Sequence, residues 1–130
     1  MNTIRVYLVD DQPSVRRGLK MRLQLEADMA VVGEAGDGAA ALAAIPSIQP
    51  DVLILDYEMP GMNGLDTLHA LSVSRSGVSV VMLSIHDNDV IKRKAAQAGA
   101  FAFVAKHEAG DRLLDAIRSA AAWGRREDDG

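Results

Sequence analysis

Cysteine is absent from the 130 residues. That excludes disulfides and thiol chemistry. No apolar run approaches the roughly 20 residues that cross a bilayer. The N-terminus also lacks the basic-then-apolar pattern of an export signal, so the chain is compatible with the cytoplasm. There is no internal repeat and no low-complexity tract, although "AAALAA" (39–44) is rich in alanine. Positive charge is not in excess: 14 Lys and Arg stand against 18 Asp and Glu, a formal charge of −4. That balance argues against a general affinity for nucleic acid or an anionic membrane. What remains is the composition of one soluble domain, 48% hydrophobic and 25% charged, long enough to bury a core.

The hydrophobic pattern alternates strand and helix. Ile4–Val9 is a short apolar run rich in β-branched residues, and Pro13 suits the first turn of a helix. Val15, Leu19 and Leu23 recur at the spacing of one helical face. "AVVGEA" (30–35) reads as a second strand. Asp37 can cap a small helix that turns Leu42 and Ile45 inward, and Pro46 should end or kink it. "DVLILD" (51–56) has a continuously apolar middle, as expected of a strand covered on both faces. After the turn-rich "MPGMNG" (59–64), Leu65, Leu68 and Leu71 mark a third helix. "VSVVML" (78–83) is a fourth strand. Asp87 can cap a fourth helix, which carries Val90 and Ile91 and stops at Gly99. "AFAFVA" (100–105) is a fifth strand. Leu113, Leu114, Ile117 and Ala121 give a last helix to about Trp123. Five βα units predict an α/β domain with a parallel sheet between two layers of helices. In such sheets the functional crevice lies outside the carboxyl ends of the strands.

Polar residues collect at those ends. The first strand ends at Asp10 and Asp11, the third at Asp56, the fourth at Ser84 and the fifth at Lys106. A lone Asp after a strand is ordinarily a cap or turn former, and a lone Lys there is ordinarily solvated. Convergence changes the reading. Three carboxylates at one point would raise each other's pKa unless a cation joined them. Few, hard oxygen ligands suit Mg²⁺, which favours a phosphate as a further ligand. Lys106 adds an ammonium for phosphate, and Ser84 a hydroxyl donor.

The motifs "VDDQPSVRRGL" (9–19), "LDYEMPGMNGL" (55–65), "LSIHD" (83–87) and "GAFAFVAK" (99–106) together resemble the receiver domain of bacterial two-component response regulators. They stand in family order and spacing over residues 4–123, and four in register are a specific signal. Their wording is most similar to the LuxR/NarL/FixJ-type subclass. The resemblance implies a flavodoxin-like, doubly wound (βα)5 fold with strand order 2-1-3-4-5, occupying residues 1–123. It implies that a sensor histidine kinase phosphorylates Asp56. It gives Mg²⁺ to the side chains of Asp11 and Asp56 and to the backbone carbonyl of Glu58, with Asp10 acting through water or from the second shell. Lys106 and Ser84 would each meet a phosphoryl oxygen. Ser84 and Phe103 would be the switch residues that alter the surface of helix 4, strand 5 and helix 5. A phosphorylation-dependent homodimer is compatible with the same resemblance. The output would be transcription, with DNA reached only through a helix-turn-helix domain that this chain lacks. The residues 124–130 then read as a polar tail or the start of a linker, in an excised or stand-alone receiver.

Two positions depart from the family pattern. His107 follows Lys106 where the family often has proline, and a non-proline cis bond is costly. Phe103 stands for the commoner tyrosine, so no ring hydroxyl is available. Elsewhere, His69, His86 and His107 lack metal-ligand spacing and read as surface residues, with His86 near enough to tune dephosphorylation. Met59 and Met62 read as packing residues. Lys92, Arg93 and Lys94 form either a solvated face or a partner surface. Competing functions fit less well. A Mg²⁺-dependent phosphohydrolase would carry an Asp two residues after its nucleophile, where this chain has Glu58, and a cap to enclose substrate. A flavin-binding domain would need a phosphate-cradling loop after the first strand, and "DDQPS" is anionic there. A phosphate-independent receiver would not need the intact acidic set. The chain is therefore expected to be a signalling domain whose only chemistry is its own phosphorylation and dephosphorylation.

Overall fold

The computed structural model describes residues 3–74 and 77–129, with 125–129 as backbone alone. Strands and helices alternate as β1 (Ile4–Val9), α1 (Pro13–Gln24), β2 (Met29–Ala35), α2 (Gly38–Ile48), β3 (Val52–Asp56), α3 (Gly64–Ser74), β4 (Ser79–Ser84), α4 (Asp89–Gln97), β5 (Ala102–Ala105) and α5 (Asp111–Asp129). The five strands form one sheet in the order β2-β1-β3-β4-β5, and every pairing is parallel. This is the flavodoxin-like order the resemblance implied.

The strand pattern explains the two layers. Side chains alternate faces along a strand. Val6, Leu8, Val52, Ile54, Val81 and Leu83 pack with Leu23 of α1 and with Leu113, Leu114 and Ile117 of α5. Their neighbours Tyr7, Val9, Leu53, Leu55, Val80 and Met82 pack with Ala41 and Ile45 of α2, Leu68 and Leu71 of α3, and Ala95 of α4. Each fully buried aliphatic side chain contributes about 1.5–3 kcal/mol, so both faces of β3 stabilise the fold. Arg118 clamps α5 to the turn before β2: Nη2 donates to Glu26 at 2.7 Å and Nε to Asp28 at 2.9 Å.

Three local expectations are corrected. Helix α2 runs through Pro46 to Ile48 and ends where Gln49 turns left-handed at φ 50°. Leu42 and Ile45 turn inward as expected, Leu42 partly buried, and Ala41 is buried beside them. Helix α4 is capped by Asn88, whose side chain accepts from the Ile91 amide at 3.0 Å. Asp87 is instead paired with Lys92 at 2.8 Å, and Val90 is exposed. Helix α5 continues past Trp123 to Asp129, so the backbone of the expected tail is helical that far; Gly130 lies outside the described residues. Replacing Asn88 by Ala is expected to lower stability by about 1 kcal/mol, read by chemical denaturation. An unchanged midpoint would mean that Asn88 is not the effective cap.

Candidate functional site

Strand register assembles the site. Val9 lies opposite Leu55, Asp56 opposite Leu83, and Ser84 opposite Ala105. The residues that end these strands are therefore neighbours across four adjacent strands of the sheet. Asp10 and Asp56 are each only 1% exposed, which is unusual for carboxylates without partners.

Local chemistry fixes each group. One Asp10 oxygen accepts from the Gln12 amide at 2.9 Å, and the Asp10 carbonyl accepts from Arg16. The other Asp10 oxygen sits 3.3 Å from the Lys106 ammonium. Asp56 Oδ1 accepts from the Glu58 amide at 3.2 Å and faces Lys106 Nζ at 3.1 Å. Asp56 Oδ2 is buried and has no hydrogen-bond partner among the described residues. The loop after β3 is drawn back by a 3.1 Å bond from the Gly64 amide to the Tyr57 carbonyl. A Cβ on Gly64 would fall 2.6 Å from the Asp56 carbonyl oxygen, so only glycine lets α3 start this close to β3.

Asp10, Asp11 and Asp56 each offer an oxygen to one point, with all three within 4.8 Å of one another. Burial, and then the neighbouring Asp10, push the Asp56 carboxyl up to about 7, against the opposing pull of Lys106. Burial pulls the Lys106 ammonium down, but Asp56 and Asp10 outweigh it and leave it above the ordinary lysine value. One ammonium thus serves two buried carboxylates incompletely. The surplus negative charge, the unpartnered Asp56 oxygen and the hard donor set fit a small divalent cation such as Mg²⁺.

The structure brings together Asp10, Asp11, Asp56 and Lys106. Ser84, fully buried at the end of β4, points its hydroxyl elsewhere: it donates to Glu58 Oε2 at 2.5 Å. Glu58 Oε1 accepts from the Ile85 amide at 3.0 Å, and the His86 amide donates to Ser84 Oγ at 2.9 Å. The Glu58 carboxylate is the group that sequence reasoning misses, since the resemblance gives a role to its backbone alone. Its signal is the register: with Asp56 opposite Leu83, the residue two beyond Asp56 falls beside Ile85. Phe103 lies half-buried on β5 against the second core layer. No peptide bond among the described residues is cis, and Lys106 opens a short 3-10 turn, Lys106–Glu108. His69, His86 and His107 are exposed as expected, and Met59 is buried. Asp87, His107 and Glu108 also lie close together, but at the surface, where Asp87 already has Lys92.

A groove of about 490 Å³, lined by Gly77, Val78, Phe101 and Trp123, lies at the ends of the strands opposite the carboxylates. No described helix is long and apolar enough to cross a membrane.

Comparison with known proteins agrees with this geometry. Residues 6–118 match the model of the response regulator receiver domain. The chain is 39% identical over 118 residues to a probable transcriptional regulatory protein NarL of Mycobacterium tuberculosis, covering 91% of this chain and 55% of that one. It is 39% identical over 121 residues to the transcriptional regulatory protein UhpA of Escherichia coli, covering 93% and 60%. The chain therefore spans little more than half the length of these curated relatives. The solved receiver domain of the putative response regulator NarL from M. tuberculosis superposes with TM-score 0.81 at 38% identity, covering 91% of this chain and 98% of that one. A two-component response regulator of the LuxR family from Aurantimonas superposes with TM-score 0.88 at 29% identity, covering 93% and 86%. A parallel sheet in this order, acidic residues gathered at its carboxyl end and a family match over most of the chain lead to one assignment: this chain belongs to the response regulator receiver domain family, among relatives of the NarL and LuxR type.

Proposed function

We propose that Asp56 accepts a phosphoryl group from a sensor histidine kinase in a Mg²⁺-dependent reaction, and that this switches the surface formed by α4, β5 and α5. The observation that carries the reading is Asp56 itself. Its Oδ2 is buried and unpartnered beside two more carboxylates and an ammonium. A carboxylate oxygen so placed can attack phosphorus and form an acyl phosphate, while the donor leaves with the electrons of its bond to phosphorus.

Asp11 and Asp56 would hold Mg²⁺ by side chains and Glu58 by its backbone carbonyl, with Asp10 reaching it through water or from the second shell. When bound, the metal supplies positive charge against the incoming phosphoryl group. Lys106, already 3.1 Å from Asp56 Oδ1, meets one phosphoryl oxygen, and Ser84 donates to another. Nearly all of the protein's contribution is positioning and charge stabilisation. The movement of Ser84 draws in the loop after β4, and Phe103 follows into the space released. The Glu58 carboxylate is occupied by Ser84 and Ile85, which disfavours its use as the general acid of a phosphohydrolase. We assign the output to transcription, through a helix-turn-helix domain outside this chain that makes any contact with DNA. Phosphorylation-dependent homodimerisation and a cytoplasmic location belong to the same reading.

Incubation with acetyl phosphate and Mg²⁺ is expected to add one phosphoryl group, seen by intact mass and mapped to the peptide carrying Asp56. EDTA should prevent it. A phosphoryl group mapped elsewhere, or none at all, would overturn the assignment.

A further inference from the structure

The hydroxyl assigned to the phosphoryl group is already engaged. Ser84 is fully buried and donates to Glu58 Oε2 at 2.5 Å. The same carboxylate accepts from the Ile85 amide at 3.0 Å, and Ser84 Oγ accepts from the His86 amide at 2.9 Å. Glu58 thus ties the first residues of the β4–α4 loop to the loop that follows Asp56. We propose that the Glu58 side chain is a latch that holds Ser84 and the β4–α4 loop in the unphosphorylated arrangement, and that the phosphoryl group on Asp56 must displace it. The proposal rests on Asp56 being the phosphoacceptor.

The chemistry of the exchange is direct. A hydroxyl has one proton to donate, so Ser84 cannot serve Glu58 and a phosphoryl oxygen together. Glu58 lies two residues from Asp56, and its backbone amide already bonds Asp56 Oδ1. A phosphoryl group there adds strong acceptor oxygens, which compete with the Glu58 carboxylate for the Ser84 hydroxyl. Release of Glu58 frees the Ile85 amide as well. Ile85 is 62% exposed, so the freed loop carries an apolar side chain with it. The latch is a positioning element: it acts on phosphoryl recognition only through Ser84, and it sets the cost of leaving the resting state.

The test measures beryllofluoride affinity at saturating Mg²⁺, by NMR titration, in the wild type and in Glu58→Ala, with Glu58→Gln as a more conservative second variant. Each is repeated in a Ser84→Ala background. A charge-assisted hydrogen bond removed from the resting state is expected to tighten beryllofluoride binding roughly tenfold in Glu58→Ala, and less in Glu58→Gln. The gain should vanish in the Ser84→Ala background. Amide exchange at Ile85 in the unligated protein should accelerate in Glu58→Ala. Equal or weaker binding in both Glu58 variants, or the same gain without the Ser84 hydroxyl, would overturn the latch. Failure of every protein, wild type included, to bind beryllofluoride would instead overturn the phosphoacceptor reading, and the latch with it.

Discussion

Replacing Asp56 by Asn is expected to abolish phosphoryl uptake from acetyl phosphate and, at neutral pH and without metal, to make the protein more stable. The two effects have one cause. Asp56 is 1% exposed, with an oxygen that no described residue satisfies. The electron pairs that the proposed reading uses for attack on phosphorus are those the fold leaves unpaired. Asparagine keeps the shape but cannot form an acyl phosphate, so uptake should fall to background.

The stability effect has a definite pH window. Burial and Asp10 hold the folded carboxyl up to about 7, above an unfolded value of about 4. Between those values the folded state keeps a proton that the unfolded state releases. The stability contributed by the neutral acid is fully present below about pH 4 and is lost as pH rises through about 7. The side-chain amide of the Asp56→Asn variant has no charge to bury. Its advantage over the wild type should grow by about 2–3 kcal/mol between pH 5 and pH 8. Urea denaturation at both pH values reads this directly. Added Mg²⁺ should narrow the gap by binding the native wild type. Equal stability at pH 8 without metal would refute the account of Asp56 as a strained carboxylate.

The second large effect is structural. Gly64→Ala puts a Cβ 2.6 Å from the Asp56 carbonyl oxygen and 2.8 Å from Tyr57 Cα. Both are backbone atoms at the end of a fully buried strand, so α3 must move. A loss of about 2–3 kcal/mol is expected, with a fall in Tm of roughly 10 °C. Gly18→Ala is the control. Its Cβ meets nothing within 4 Å, and it lies inside α1, so it should stabilise by about 0.5–1 kcal/mol. On the reading of Asp56 as phosphoacceptor, Gly64→Ala should also slow phosphoryl uptake, because the clash falls on the Asp56 carbonyl and disturbs the backbone that positions its side chain. A Gly64→Ala protein as stable as the wild type would show that α3 can shift freely, contrary to this packing.

The acidic site is legible because it depends on where strands end. Apolar runs that stop at Asp10, Asp56 and Lys106 need only a parallel sheet to converge. The strand order comes from resemblance, since periodicity cannot rank neighbours. What stays hidden is chemistry that crosses elements. Asp87 and Asn88 are equally good caps on paper; Lys92 takes the first, leaving the second to the Ile91 amide. Pro46 ordinarily breaks a helix, yet here it sits one turn from the end, where α2 continues to Ile48. Hydrophobicity alone points Val90 inward, while the small Ala95 is what α4 buries. The bond between Glu58 and Ser84 joins the loop after β3 to the end of β4, and no single-element pattern encodes it.

The order of the strands also bears on folding. β1 takes its place between β2 and β3, and the acidic cluster exists only where β1 and β3 lie side by side. Such pairing must close over the whole intervening segment of α1, β2 and α2, at a cost in chain entropy. A chain still being made, or one misassembled, can have every residue of the site and yet no site. If Asp56 is the phosphoacceptor, competence to take a phosphoryl group is a report of completed topology, and the signal enters only through molecules that have finished folding.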